Sequence, residues 1–139
     1  MNDEMRQQKA EETKERANVC FKAQRFDEAL VLFKEASTYI SKLSQYTAET
    51  QELRRLILQN VALTLTKTGD YEEAVTNATA ALQIDIVNSA KALYLRSLAN
   101  LHLKNYTEAF ADCRQAIQLK PQDKTLRQHW ETCKTQVNQ

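Results

Sequence analysis

The side chains least ordinary for their setting are three cysteines (Cys20, Cys113 and Cys133), two histidines (His102 and His129) and one amide, Asn60. The cysteines form no C-x-x-C pair and read as small, reduced core residues. His102 has no carboxylate or cysteine at ligand spacing, which argues against a metal ligand or general base there. The sequence contains no nucleophile elbow, no glycine-rich phosphate loop and no carboxylate pair in a distinctive context. No catalytic residue, metal or cofactor is therefore expected. Asn60 is more informative, because it lies between Ile57 and Val61 in an otherwise apolar run, where an amide needs a partner. That partner is either another helix or a ligand.

The elements that must position Asn60 follow from three similar stretches. Thr68-Gly69-Asp70-Tyr71-Glu72-Glu73-Ala74 contains the only glycine of the 139 residues, at a point where a helix must stop. Asp70 is expected to cap the next helix, with Glu73 completing a capping box. Gln24-Arg25-Phe26-Asp27-Glu28-Ala29 and Lys104-Asn105-Tyr106-Thr107-Glu108-Ala109 repeat the pattern without glycine. Small residues recur in phase: Ala17, Ala62 and Ser97 nine positions before each aromatic, Ala29, Ala74 and Ala109 three after, and Ala36, Ala81 and Ala116 ten after. Such residues let paired helices approach closely, with Phe33, Leu65, Leu82 and Phe110 filling the gaps. The second and third copies lie 35 residues apart (71 to 106) and the first and second 45 (26 to 71), so about ten residues are inserted around 44–50.

Composition agrees with an all-α chain. One Gly and one Pro leave little material for hairpins, and 27% charged with 42% hydrophobic residues suits a single solvated helical domain. Amphipathic patterns predict seven helices: 1–23, 26 to about 43, about 52–65 after a loop at 44–50, 71–84, one capped by Asn88 or Ser89, 106–119 ended by Pro121, and 123–137. A formal net charge of +1 with dispersed basic residues argues against nucleic acid. No apolar run follows Met1 or reaches membrane-spanning length, so a cytoplasmic protein without membrane association is expected. A monomer is favoured.

The repeat resembles the tetratricopeptide (TPR) family, with repeat 1 at about 7–43, repeat 2 at about 51–85, repeat 3 at about 88–121 and a capping helix at about 123–137. The resemblance implies a right-handed α-solenoid whose concave groove is lined by the first helix of each pair. The insertion in the first repeat looks like that of large immunophilins and related Hsp90 co-chaperones. In those domains two lysines, two asparagines and an arginine clamp the terminal carboxylate and Asp side chain of chaperone tails ending in EEVD. Lys14 and Asn18 match the first pair, Asn60 the central Asn, and Lys91 the third-repeat Lys. Leu95 stands at the arginine position, and Arg96 is about 100° further round the helix.

The resemblance thus implies a peptide-binding adaptor, with the C-terminal tail of Hsp90 or Hsp70 as partner. Three readings of Leu95 stay open: a weaker clamp, a tail of different sequence, or a groove turned to an apolar partner with Leu63 and Leu98. Alternatively the domain is a scaffold that binds another protein. Lys22, Lys67 and His102 fall near the implied groove, where they meet either acidic peptide side chains or only solvent. His129 and Trp130 are expected to pack on the third repeat, Trp130 being a candidate for an exposed docking face.

Overall fold

Gly69 has φ +84°, in the left-handed region, and the N–H of Asp70 after it donates to Leu65 O at 2.9 Å. The two sister positions, Gln24 and Lys104, adopt the same conformation at φ 63° and 65° despite carrying side chains. The matching bonds follow, Arg25 N–H to Cys20 O at 2.9 Å and Asn105 N–H to Asn100 O at 2.8 Å. One tight turn is therefore built three times, and it closes three helix pairs.

The computed structural model describes residues 1–138. Its helices are α1 (Asp3–Lys22), α2 (Phe26–Ser41), α3 (Ala48–Thr68), α4 (Tyr71–Ile84), α5 (Ala90–His102), α6 (Tyr106–Leu119) and α7 (Lys124–Val137), with no strand among the described residues. α1 packs on α2, α3 on α4 and α5 on α6, while α2 meets α3 and α4 meets α5. α7 covers α6 and touches α5. The first helices also touch in sequence, α1 with α3 and α3 with α5, so they share one face of the solenoid. No described helix is long and apolar enough to cross a membrane.

The in-phase small residues lie where the helices meet. Ala17, Ala29, Ala36, Ala62, Ala74, Ala81, Ala109, Ala116 and Ser97 are all buried. Phe33, Leu65 and Leu82 are buried among them, whereas Phe110 is half-buried and stacks on Trp130 of α7 at 4.7 Å. Trp130 packs on the third helix pair with Phe110, and its ring is half-buried.

Three expectations about helix starts are corrected. Asp70 makes no side-chain cap; its carboxylate accepts from Thr68 Oγ1 at 2.6 Å instead. The reason is conformational. Asn2, Thr47 and Asp123, with ψ of 174°, 172° and 119°, aim their side chains at the first-turn N–H groups and cap. Arg25, Asp70 and Asn105 emerge from the left-handed turn at ψ of 72°, 70° and 69°, and none caps. Asn88 does not start α5 and Ser89 does not cap it by its side chain; the Ser89 hydroxyl donates to Asp85 O. The 44–50 segment is only partly loop, since α3 begins at Ala48, four residues before the expected start. Thr47 and Thr50 satisfy each other reciprocally, Thr50 N–H donating to Thr47 Oγ1 at 3.1 Å and Thr47 N–H to Thr50 Oγ1 at 2.8 Å.

A Cβ at Gly69 would meet nothing within 4 Å, so only the backbone conformation resists substitution. Gly69→Ala should destabilise the domain by about 1 kcal/mol, a fall in Tm of roughly 3 °C. Thermal unfolding followed by circular dichroism checks this.

Candidate functional site

The shared face of α1, α3 and α5 carries the residues singled out in the sequence. Lys14 and Asn18 lie one turn apart on α1, Asn60 lies in the second half of α3, and Lys91 sits in the first turn of α5. Lys14, Asn18 and Asn60 are half-buried and Lys91 is exposed. Among the described residues the side chains of Asn18, Asn60 and Lys91 make no hydrogen bond or ion pair. Lys14 Nζ lies 3.4 Å from the carboxylate of Glu15, whose side chain is 70% exposed, so this pair contributes little and is easily exchanged.

The neighbours of Asn60 at Ile57 and Val61 are buried, yet its own amide reaches the surface without an intramolecular partner. The interhelix hydrogen bond that would have given Asn60 a purely structural role is not formed. Two ammonium groups and two amides thus offer donors on neighbouring helices, a set suited to a carboxylate, which offers about four acceptor sites.

Leu95 lies one turn after Lys91 but is only 1% exposed, packed with Ala62 and Ala78 beside Leu63 and Tyr94. It supplies packing at the α3–α4–α5 junction and no donor. Nor does Arg96 supply the missing donor. Its Nε and Nη2 donate to Asp112 Oδ2 at 2.7 Å and Oδ1 at 2.8 Å, and Nη1 donates to Thr79 Oγ1 at 3.2 Å. These partners lie on α4 and α6, the second helices of their pairs, and the Asp112 carboxylate holds the guanidinium firmly protonated. The sequence reading did not foresee this bidentate pair, although an arginine facing an aspartate sixteen residues on is the signal that could have revealed it.

Beside Lys91 an open cleft of about 380 Å³ runs to the α6–α7 connection, lined by Tyr94, Lys120, Asp123 and Leu126. Lys22, Lys67 and His102 close the last turns of α1, α3 and α5, where a positive charge also suits the helix dipole. The His102 ring is stacked on Tyr71 with centroids 4.3 Å apart and planes 3° from parallel.

Comparison with known proteins places this geometry. Residues 62–124 match the model of the tetratricopeptide repeat family. The human peptidyl-prolyl cis-trans isomerase FKBP4 is 27% identical over 99% of this chain, which spans only 30% of the length of that protein. The C-terminal TPR-containing domain of a Plasmodium falciparum FK506-binding protein superposes with a TM-score of 0.89 at 29% identity, over 99% of this chain and 94% of that one. The myosin chaperone UNC-45 of C. elegans, solved in complex with a Hsp90 peptide, is 33% identical with a TM-score of 0.84, over 94% of this chain and 14% of that one. UNC-45 solved with a Hsp70 peptide gives 32% and 0.83, over 93% and 14%. With seven helices among the described residues, in three closed pairs and a cover, in-phase small residues buried between them and these matches, the chain has the tetratricopeptide-repeat fold.

Proposed function

We propose that the face formed by α1, α3 and α5 captures the acidic C-terminal tail of an Hsp90- or Hsp70-type chaperone, making this domain a co-chaperone adaptor without enzymatic activity that works in the cytoplasm. The observation that carries the reading is the unpartnered amide of Asn60, set among the equally unpartnered Asn18 and Lys91. Asn18 and Asn60 donate to the terminal carboxylate, and Lys14 and Lys91 supply charge to it and to the last acidic side chain. The complexes of UNC-45 with Hsp90 and Hsp70 peptides support the reading by similarity.

Leu95 takes one donor out of this set. A hydrogen bond to a charged group contributes about 1.5–3 kcal/mol, so the tail is held on the order of tenfold to a hundredfold more weakly than by a five-donor clamp. The burial of Leu95 also favours a second reading, a scaffold that takes a peptide of different sequence through the same donors.

Calorimetric titration with a free-acid MEEVD peptide and its C-terminally amidated twin separates the two. We expect the acid to bind, the amide not to, and the affinity to fall as salt is raised. Binding of neither peptide, or equal binding of both, overturns the proposal.

A further inference from the structure

We propose that Cys113, His129 and Cys133 form a structural site for a thiophilic divalent cation, Zn²⁺, which fastens α7 to the third helix pair. The three side chains converge from α6 and α7, all buried, and their ligand atoms lie within 4.8 Å of one another. His129 and Cys133 are four residues apart on one face of α7, a spacing that presents two ligands side by side. Their Nε2 and Sγ atoms are 3.4 Å apart. A tetrahedral zinc with bonds of about 2.0 Å to nitrogen and about 2.3 Å to sulfur needs an N···S edge of about 3.5 Å and an S···S edge of about 3.8 Å. The His129–Cys133 edge already has that length, and Cys113 Sγ lies within 4.8 Å of both atoms.

Ser97 of α5 supplies the fourth corner. Its Oγ lies 2.7 Å from His129 Nε2 and 3.8 Å from Cys133 Sγ. It also lies 2.5 Å from Ala109 O. A carbonyl only accepts, so the hydroxyl proton goes there and the oxygen turns its lone pairs toward the cluster. The donor set is two sulfurs, one imidazole nitrogen and one neutral oxygen, with the nearby Asp112 engaged by Arg96. Soft sulfur donors select Zn²⁺ over Mg²⁺ or Ca²⁺, and the burial of all four side chains suits a closed structural site.

Charge balances on loading. Two thiols release two protons as two Zn–S bonds form, and the resulting thiolates neutralise the ion, so no net charge is buried. With the Ser97 proton on Ala109 O, His129 Nε2–H is the donor to Ser97 Oγ, so on loading the imidazole proton moves to Nδ1 and frees Nε2 for the ion. Entry needs only local opening of α7, which among the described residues packs on α6 and α5. Cys113 Sγ also lies 3.8 Å from Leu126 O, a contact weak enough to yield to a metal bond.

The test uses the full chain, reduced and stripped of metal by a chelator, titrated with CoCl₂ and then ZnCl₂. We expect one equivalent of Co²⁺ to produce a sulfur-to-cobalt charge-transfer band with tetrahedral ligand-field bands, both erased by one equivalent of Zn²⁺. Zinc in hundredfold excess over its Kd should raise Tm by roughly 5–10 °C. Cys113→Ser and Cys133→Ser should each weaken the band, and Cys20→Ser, which removes the thiol on α1, should leave it unchanged. The wild-type titration decides the matter even if a variant fails to fold: no charge-transfer band and no zinc-dependent rise in Tm overturns the proposal. A band that survives loss of both Cys113 and Cys133 does the same.

Discussion

Asn60→Ala should lower the affinity for a free-acid EEVD-type tail by tenfold or more while moving Tm by less than about 2 °C. The two halves of this expectation have one cause. The amide of Asn60 has no intramolecular partner among the described residues, so its removal leaves no buried group stranded, and a half-buried Asn contributes little apolar packing. In the proposed complex the same amide would donate to a charged oxygen, a bond contributing about 1.5–3 kcal/mol. That range corresponds to roughly tenfold to a hundredfold in Kd. Calorimetry with the MEEVD peptide and thermal unfolding on the same preparation read both quantities. Unchanged affinity would remove Asn60 from the binding face. A large fall in Tm would give it the structural role that its surroundings at Ile57 and Val61 first suggested.

Asp112→Ala should have the larger effect on stability, about 3 kcal/mol, a fall in Tm of roughly 10 °C. Asp112 is buried and is the bidentate partner of Arg96, whose side chain is 24% exposed. Removing the carboxylate leaves a partly buried guanidinium with only Thr79 Oγ1 as acceptor. Some water still reaches it, which keeps the loss toward the lower end of the range for fully buried pairs. Replacing both partners together, Arg96→Met with Asp112→Leu, should recover much of the stability, since it strands no charge. The same double variant should hold the tail within about twofold of wild type, because Arg96 faces α4 and α6 and not the proposed binding face. A loss below about 1 kcal/mol for Asp112→Ala would mean that solvent screens Arg96 as it does an ordinary surface charge.

How much of this was legible in the sequence depends on whether the determinant is local. The helices, their order and the three turns were readable because each is decided within a few residues: periodic apolar positions, a glycine that accepts φ +84°, and small residues returning at a fixed spacing. Even there the capping of Asp70 was misread. Residue type permits a cap, but the backbone leaving a left-handed turn, at ψ 70°, turns the carboxylate to Thr68. The early start of α3 was missed because Thr50 plays the part usually taken by Glu or Gln in the reciprocal cap.

The proposed binding residues Lys14, Asn18, Asn60 and Lys91 came from the resemblance of the repeat to the co-chaperone tetratricopeptide domains, which is legible in the sequence. That the Asn60 amide stays unpartnered, that Leu95 is buried against Ala62 and Ala78, and that Arg96 is committed to Asp112 were decided only by packing between helices. The His129–Cys133 spacing was present in the sequence, but its meaning needed Cys113 from α6 and Ser97 from α5. Residues 16 to 36 apart in the chain meet there because α7 closes over the third pair. Local pattern fixes helices and turns through backbone geometry, while which side chains touch across helices is set by shape and burial, and these exist only once the solenoid has formed.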